Sequence, residues 1–210
     1  MMIRIIHDNE VYNMHYNGSL TREQFMFQEM RIAARLRLEG LTDQDIIAKV
    51  YEDNLFQYPT EREIKSKCRA CLKRLDCIAD MAYVLDTLAN GAIGEAKQAA
   101  LVALMCQSLL MQVFMVTVIG EKYRRLDMVL SRRDMNLFFE RLAEQNEDVA
   151  SWSEHTIKKL KVVIRSCLRE TDYIQGTEET LYPVLLSDEF AAALKAAGYR
   201  NFLPAFNVFD

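Results

Sequence analysis

Apolar and polar residues alternate along most of this chain with the period of an α-helix. From residue 21 onward, apolar residues recur every three or four positions, a spacing that places them on one face of a helix. The pattern predicts helices at 22–38, 43–53, 60–76, 79–89, 95–125, 132–145, 153–170 and 187–197. The predicted fold class is therefore mainly α, a bundle of about eight helices around a hydrophobic central helix.

Several of these helices begin with the spacing of a capping box. In such a box a hydroxyl residue and an acid or amide three positions later satisfy the free N–H groups at a helix start. The pairs with this spacing are Thr21/Gln24, Thr42/Asp45, Thr60/Glu63, Ser131/Asp134 and Ser151/Glu154. Because each pair opens an apolar-periodic run, the pairs support the predicted helix starts.

A run without any charged residue extends from Gln98 to Gly120. It is long enough to cross a membrane as a helix. However, Gln107, Ser108 and Gln112 lie at its middle, where unpaired polar groups in hydrocarbon are costly. The flanking helices also have the amphipathic pattern of a water-exposed bundle. We therefore predict a buried central helix, with a transmembrane helix as the alternative.

A basic face lies along the predicted helix at 60–76, opposite an apolar face. It consists of Arg62, Lys65, Arg69 and Lys73. Three helices of which the last is basic form the outline of a helix-turn-helix unit, which we predict within an N-terminal helical domain, residues 1–77. The gap from Asn54 to Pro59 is longer than the usual tight turn, so an ordinary solvent-exposed charged face is the alternative.

A second basic face lies along the predicted helix at 153–170. Its cations are Lys158, Lys161, Arg165 and Arg169, while Ser153 and Thr156 lie at the helix start, where free N–H groups favour a phosphate. β-forming residues flank "QGTEE" in 172–186 and predict a short β-hairpin. Residues 131–186 thus have the helix, helix, basic helix, hairpin order of a winged-helix-like unit in a C-terminal domain, 78–210. The alternative is a plain helix pair, which the acidic hairpin favours.

Charge and cysteine content narrow the class of protein. The formal net charge is −4, and all of it falls in residues 171–210, so the rest of the chain is neutral with local basic faces. Five cysteines at apolar positions fit a reduced, cytoplasmic protein. Cys68 and Cys71 have no second Cys or His pair at zinc spacing. With no phosphate-binding or nucleophile motif present, we expect no enzyme, no metal and no cofactor.

Three stretches resemble one protein family. They are "RLRLEGLTDQDIIAKVYEDNLFQ" (35–57), "GEAKQAALVAL" (94–104) and "FFERLAEQNEDVASWSEHTIKKLKVVIRSCLRE" (138–170). The family is BrxA, of the bacteriophage exclusion (BREX) defence systems of bacteria, and the resemblance extends from about Leu20 to Leu186.

The resemblance implies a mostly α-helical, cytosolic, non-enzymatic protein that binds double-stranded DNA. It also implies action beside the methyltransferase, ATPase and phosphatase-like components of the system, without a membrane. It does not identify the residues that contact DNA, which we predict from the two basic faces described above. The competing hypothesis is a protein–protein scaffold within the defence complex that does not bind DNA directly.

Overall fold

Helices account for most of the residues that this computed structural model describes, which are 15–177 and 179–209. The α-helices are α1 (Phe27–Leu38), α2 (Asp43–Glu52), α3 (Glu61–Asp76), α4 (Ala82–Asn90), α5 (Ile93–Gln107), α6 (Leu109–Phe114), α7 (Gly120–Arg124), α8 (Arg132–Gln145), α9 (Glu147–Ala150), α10 (Glu154–Glu170) and α11 (Asp188–Ala196). Short 3-10 helices occupy Ser19–Thr21 and Arg200–Phe206, and a π-helix occupies Met115–Ile119. The mainly α-helical class and the bundle are confirmed.

Side-chain caps define most of the predicted helix starts. Thr42 and Ser131 form capping boxes with Asp45 and Asp134, and the Thr60 side chain accepts from the Glu63 N–H. Two of the predicted capping pairs, Ser151/Glu154 and Thr21/Gln24, were wrong. Ser153 caps α10 in place of Ser151, and α1 begins only at Phe27, after Met26 adopts a left-handed backbone with φ 56°.

The late start of α1 has a cause in the neighbouring helix α3. The guanidinium of Arg74 donates to the backbone carbonyls of Glu23 (2.6 Å), Gln24 (2.9 Å) and Phe25 (2.7 Å). Carbonyls that converge on one guanidinium are not aligned along a helix axis, as the ladder of an α-helix requires. Residues 23–25 therefore wrap around a cation, and the side chain of Arg74 is completely buried.

Helices α1, α2 and α3 pack against one another, as a three-helix unit requires. The Arg37 guanidinium joins their ends, with one nitrogen 2.7 Å from an Asp43 oxygen and another 2.8 Å from an Asp76 oxygen. The hydrophobic core is continuous from these helices into the rest of the bundle. The helix-turn-helix assignment and the division after residue 77 stay predictions.

The long apolar run does not form one continuous helix, which corrects the prediction for 95–125. The chain bends by 115° between Ile93–Gln107 and Leu109–Arg124. Ser108 has extended backbone angles (φ −117°, ψ 104°), and its hydroxyl caps α6 by accepting from the Met111 N–H at 3.4 Å. Within the described residues, no single helix has both the length and the apolar character to cross a membrane. Only the two bent arms taken together would meet that criterion.

Both arms of the run lie in the core, as predicted for a central helix. Leu101, Leu104 and Met105 in α5 and Met111 and Phe114 in α6 are at most 1% exposed. Two of the polar residues at the middle have partners within the protein. The Ser108 hydroxyl caps α6, and the Gln107 side-chain oxygen lies 3.4 Å from Arg74 Nε.

The π-helix leads into a close contact with the C-terminal 3-10 helix. A Cβ atom added at Gly120 would lie 2.9 Å from Cβ and 3.1 Å from the carbonyl carbon of Pro204. Both distances are shorter than normal carbon–carbon contact. The 3-10 helix therefore packs directly on the backbone of the chain at Gly120.

Gly120→Ala is expected to destabilise the protein relative to Gly94→Ala, a matched substitution in α5 where an added Cβ has open space. Gly94→Ala should raise the free energy of unfolding by ~0.5–1 kcal/mol, because alanine is the better helix former. The free energy of unfolding of Gly120→Ala should be ~1–3 kcal/mol lower than that of Gly94→Ala, because Pro204 must move to make room for the added methyl group. Urea unfolding of both variants measures the difference, and equal stability would contradict the packing described here.

The segment at 172–186 forms no β-strand in the part of the chain that the structure describes, so the predicted hairpin is not confirmed. Tyr182 N–H donates to the Tyr173 carbonyl at 2.9 Å, which links the two arms. The return arm otherwise pairs with residues ahead of α8, through a single antiparallel bridge between Val129 and Thr180. Glu178, near the predicted turn, lies outside the described residues.

Candidate nucleic-acid interface

The start of α8 is fixed by an ion-pair cluster around a buried lysine. Lys122 Nζ lies 2.8 Å from an Asp127 oxygen and 3.0 Å from an Asp134 oxygen, and the lysine side chain is only 10% exposed. Burial disfavours its charge, but the hydrogen bonds to the two carboxylates outweigh burial and raise the pKa of Lys122. Asp134 also accepts from the Ser131 N–H at 2.8 Å. The first turn of α8 is therefore held firmly against α7.

The first turn of α10 carries the two hydroxyl residues predicted to bind phosphate. Ser153 accepts from the Thr156 N–H at 3.2 Å, and the two hydroxyl oxygens are 3.0 Å apart. Ser153 is exposed, whereas Thr156 is half-buried and its methyl group lies close to Gly18. Both hydroxyls thus take part in the helix cap, and Ser153 is the more accessible of the two.

The basic face of α10 divides into exposed and bracing residues. Lys158 and Arg169 are exposed, although Arg169 also donates to the Gly176 carbonyl at 3.5 Å. Lys161 and Arg165 are half-buried. Lys161 Nζ donates to Asn136 Oδ1 in α8 at 2.8 Å and lies 5.5 Å from the centre of the Phe139 ring.

Arg165 donates to the Leu130 carbonyl at 3.5 Å. Together with the Lys161 contacts, this bond connects α10 to α8 and to the segment just before it. The sequence pattern placed all four cations of the face on one stripe. The tertiary contacts separate two exposed cations, Lys158 and Arg169, from two that also hold α8 and α10 together.

The basic face of α3 is similarly divided. Arg62, Arg69 and Lys73 are exposed. Lys65 is half-buried, forms an i,i+4 ion pair with Glu61 and lies 4.6 Å from the centre of the Tyr51 ring. Three of the four predicted cations therefore remain accessible on this helix.

Arg132 and Arg133 were not among the predicted site residues, but both are exposed on the first turn of α8. Neither has an ion-pair partner among the described residues. Cations at this end of a helix oppose the helix dipole, so their placement has no evident benefit for the helix itself. The paired arginines directly after the capping Ser131 were the available sequence signal. Lys159 of α10 is also exposed and was likewise not among the predicted site residues.

The cysteines lie mainly in the core, as predicted. Cys68, Cys71 and Cys167 are buried, and all five cysteines are free thiols. Burial raises the pKa of Cys68 to about 11, which keeps this thiol protonated near neutral pH. Across residues 15–177 and 179–209, no three His, Cys, Asp or Glu side chains are grouped so that they could hold a metal ion.

Comparison with known proteins identifies the family. A family model described as BrxA matches residues 14–198. A "BREX protein BrxA" from Bacillus cereus (strain H3081.97) is 31% identical over 193 residues, which cover 90% of this chain and 96% of the relative. A "BREX protein BrxA" from Escherichia coli O9:H4 (strain HS) is 25% identical over 187 residues, covering 89% and 87% respectively.

A solved structure shares the fold. The crystal structure of an uncharacterized protein from Magnetospirillum magneticum matches with a TM-score of 0.74 and 22% sequence identity, and the match covers 91% of this chain and 97% of that chain. The match of the family model over most of the chain, together with a relative above 30% identity, agrees with the resemblance found in the sequence. The chain therefore belongs to the BrxA family.

Proposed function

We propose that this chain is a non-enzymatic accessory protein of a bacterial phage-defence (BREX) system and binds double-stranded DNA through basic helices. Both relatives reported above carry the name "BREX protein BrxA", which supports the defence role. The proposed partners are DNA and the methyltransferase, ATPase and phosphatase-like components of such a system. The proposed location is the cytoplasm.

The observation that carries the DNA-binding proposal is the backbone pairing around α8 and α10. Leu130 N–H donates to the Glu179 carbonyl at 2.6 Å, and Leu181 N–H donates to the Met128 carbonyl at 2.9 Å. A segment before α8 thus pairs with a segment after α10, and the latter also pairs with Tyr173. These hydrogen bonds support a winged-helix-like arrangement, in which we propose that α10 acts as the recognition helix.

The charges on this unit support the same function. Apart from Arg141, which lines a cleft against the 113–127 stretch, its exposed cations are Arg132, Arg133, Lys158, Lys159 and Arg169. From His155 to Arg169 the sequence contains no carboxylate, so this part of α10 has no negative charge that would repel phosphates. We assign these cations to phosphate contacts, Lys161 and Arg165 to positioning α8 beside α10, and Ser153 and Thr156 to the helix start.

The exposed cations of α3 form a second proposed patch. It consists of Arg62, Arg69 and Lys73, with Lys65 at its edge. Flexible Lys and Arg side chains that contact the DNA backbone position a protein without reading the bases. We therefore expect weak sequence preference.

Binding of the isolated protein to a labelled duplex should depend strongly on salt. Five phosphate contacts predict a slope of about −4 to −5 in a plot of log affinity against log salt concentration. Fluorescence anisotropy at several salt concentrations measures this slope. Absence of duplex binding, or binding that salt does not weaken, would refute the proposal.

A cleft on the other side of α8 favours the scaffold hypothesis as the second candidate. It encloses about 430 Å³ between the 113–127 stretch and α8, and Val118, Leu137 and Leu142 contribute apolar surface to it. A scaffold without DNA contact predicts that pull-down of the other defence proteins succeeds while the isolated chain fails to bind duplex DNA. The salt titration and the pull-down together therefore separate the two functions.

A further inference from the structure

One apolar side chain stands in the middle of the basic face of α10. Val162 is 60% exposed, although it belongs to a helix whose other outward positions are polar or charged. It lies two positions from Leu160 and from Ile164, which are completely buried, and is therefore turned about 200° away from each. Val162 thus points directly away from the core and contributes little to the packing of α10.

The neighbours of Val162 on the helix surface are cations and a hydroxyl. Residues three or four positions apart are adjacent on a helix, so Lys158 and Arg165 flank Val162 on one side and Lys159 and Ser166 on the other. Arg169 continues the outward row towards the end of the helix. The face therefore has an exposed lysine on each side of an apolar centre, Lys158 on one side and Lys159 on the other, while Arg165 contacts the segment before α8.

This arrangement matches what a helix meets in the major groove of DNA. The groove admits one α-helix, with the phosphate backbones along its two edges and the base edges at its floor. Cations at the edges of the helix face reach the phosphates, and the side chain at the centre faces the bases. An isopropyl group can neither donate nor accept a hydrogen bond, so it cannot read polar groups. The apolar group that base pairs present in this groove is the 5-methyl group of thymine.

We propose that Val162 contacts the 5-methyl group of thymine and gives the protein a preference for A·T pairs beneath the centre of α10. The inference rests on the proposed function, because it requires α10 to lie in the major groove. It adds a base-reading contact to an interface whose other proposed contacts are with phosphates. It also states which chemical group on the DNA is read.

The test compares two duplexes that differ only in thymine methyl groups. One is rich in A·T pairs, and in the other every thymine is replaced by deoxyuridine, which leaves charge and base pairing unchanged. We expect wild-type protein to bind the thymine duplex about four-fold more tightly for each methyl group contacted, the size expected for burying one methyl-sized group. Val162→Ser should bind both duplexes equally, with an unchanged salt slope.

Ile93→Ser is the matched control, because Ile93 is a similarly exposed apolar residue (55%) at the start of α5. This variant should keep the wild-type preference for thymine. Equal binding of both duplexes by the wild-type protein would overturn the inference while leaving DNA binding intact. The inference would also be overturned if Val162→Ser still preferred the thymine duplex, or if this variant differed from wild type only in its capture of a defence protein. Failure of the wild-type protein to bind either duplex would overturn the proposed function as well.

Discussion

Arg74→Met is expected to lower the free energy of unfolding by ~3 kcal/mol or more. The guanidinium of Arg74 donates to the carbonyls of Glu23, Gln24 and Phe25, and its Nε lies near the Gln107 oxygen. Methionine fills similar space but donates no hydrogen bond. The Phe25 carbonyl would stay buried without this partner and those of Glu23 and Gln24 partly buried, and a buried polar group without a partner costs ~1–3 kcal/mol.

The loss of stability should be specific to the buried Arg74. Lys73→Met, one residue earlier in α3, removes an exposed cation and should change stability by less than ~0.5 kcal/mol. Arg74→Lys should fall between the two, because an ammonium keeps the charge but cannot reach all the carbonyls in the fixed geometry of a guanidinium. The midpoints of urea unfolding measure all three variants. A stability of Arg74→Met equal to that of wild type would contradict the role described for this side chain.

The double variant Lys158→Glu/Arg169→Glu is expected to weaken duplex binding by ~100-fold at low salt and to reduce the salt slope by ~2. Both side chains are exposed on α10, so their reversal removes two proposed phosphate contacts and adds repulsion without disturbing the core. Gel-shift titration at two salt concentrations gives both quantities.

A control with the same change in net charge separates local from global electrostatics. Lys49→Glu/Lys195→Glu alters exposed residues of α2 and α11, outside both basic faces. We expect this variant to bind DNA within about three-fold of wild type, since screening limits the reach of distant charges to ~10 Å. If the α10 variant bound no more weakly than this control, α10 would not be the DNA-contacting helix.

Local sequence patterns predicted the elements whose ends are decided by neighbouring residues. The starts of α2, α3 and α8 follow from Thr42, Thr60 and Ser131, because a side-chain cap involves residues only three positions apart. The 115° bend at Ser108 could not be found in this way. The apolar run is helical in composition on both sides of Ser108, and the bend exists because both arms bury their surfaces in one core.

The same limit applies to Arg74 and to the candidate interface. By spacing alone, Arg74 lay beside the basic face of α3, and only the path of residues 23–25 makes it a core residue. For α10, periodicity identified the face, but the partners that brace Lys161 and Arg165 lie in α8 and just before it. Periodicity also did not identify Arg132 as a candidate DNA contact. The two adjacent arginines of α8 do not recur at helical spacing, so they do not form a basic face.

The π-helix at Met115–Ile119 has a consequence for how this region changes in evolution. A single π turn amounts to one residue inserted into an α-helix, and it rotates everything that follows by about 100° relative to an uninterrupted helix. The next residue is Gly120, which must be small because Pro204 lies against it. Deleting the inserted residue would place a different side chain opposite Pro204. The glycine would then no longer be needed to avoid a clash with that proline. We therefore expect related proteins either to have both the inserted residue and the glycine or to lack both. The two groups would differ in chain length at this point and not by a substitution.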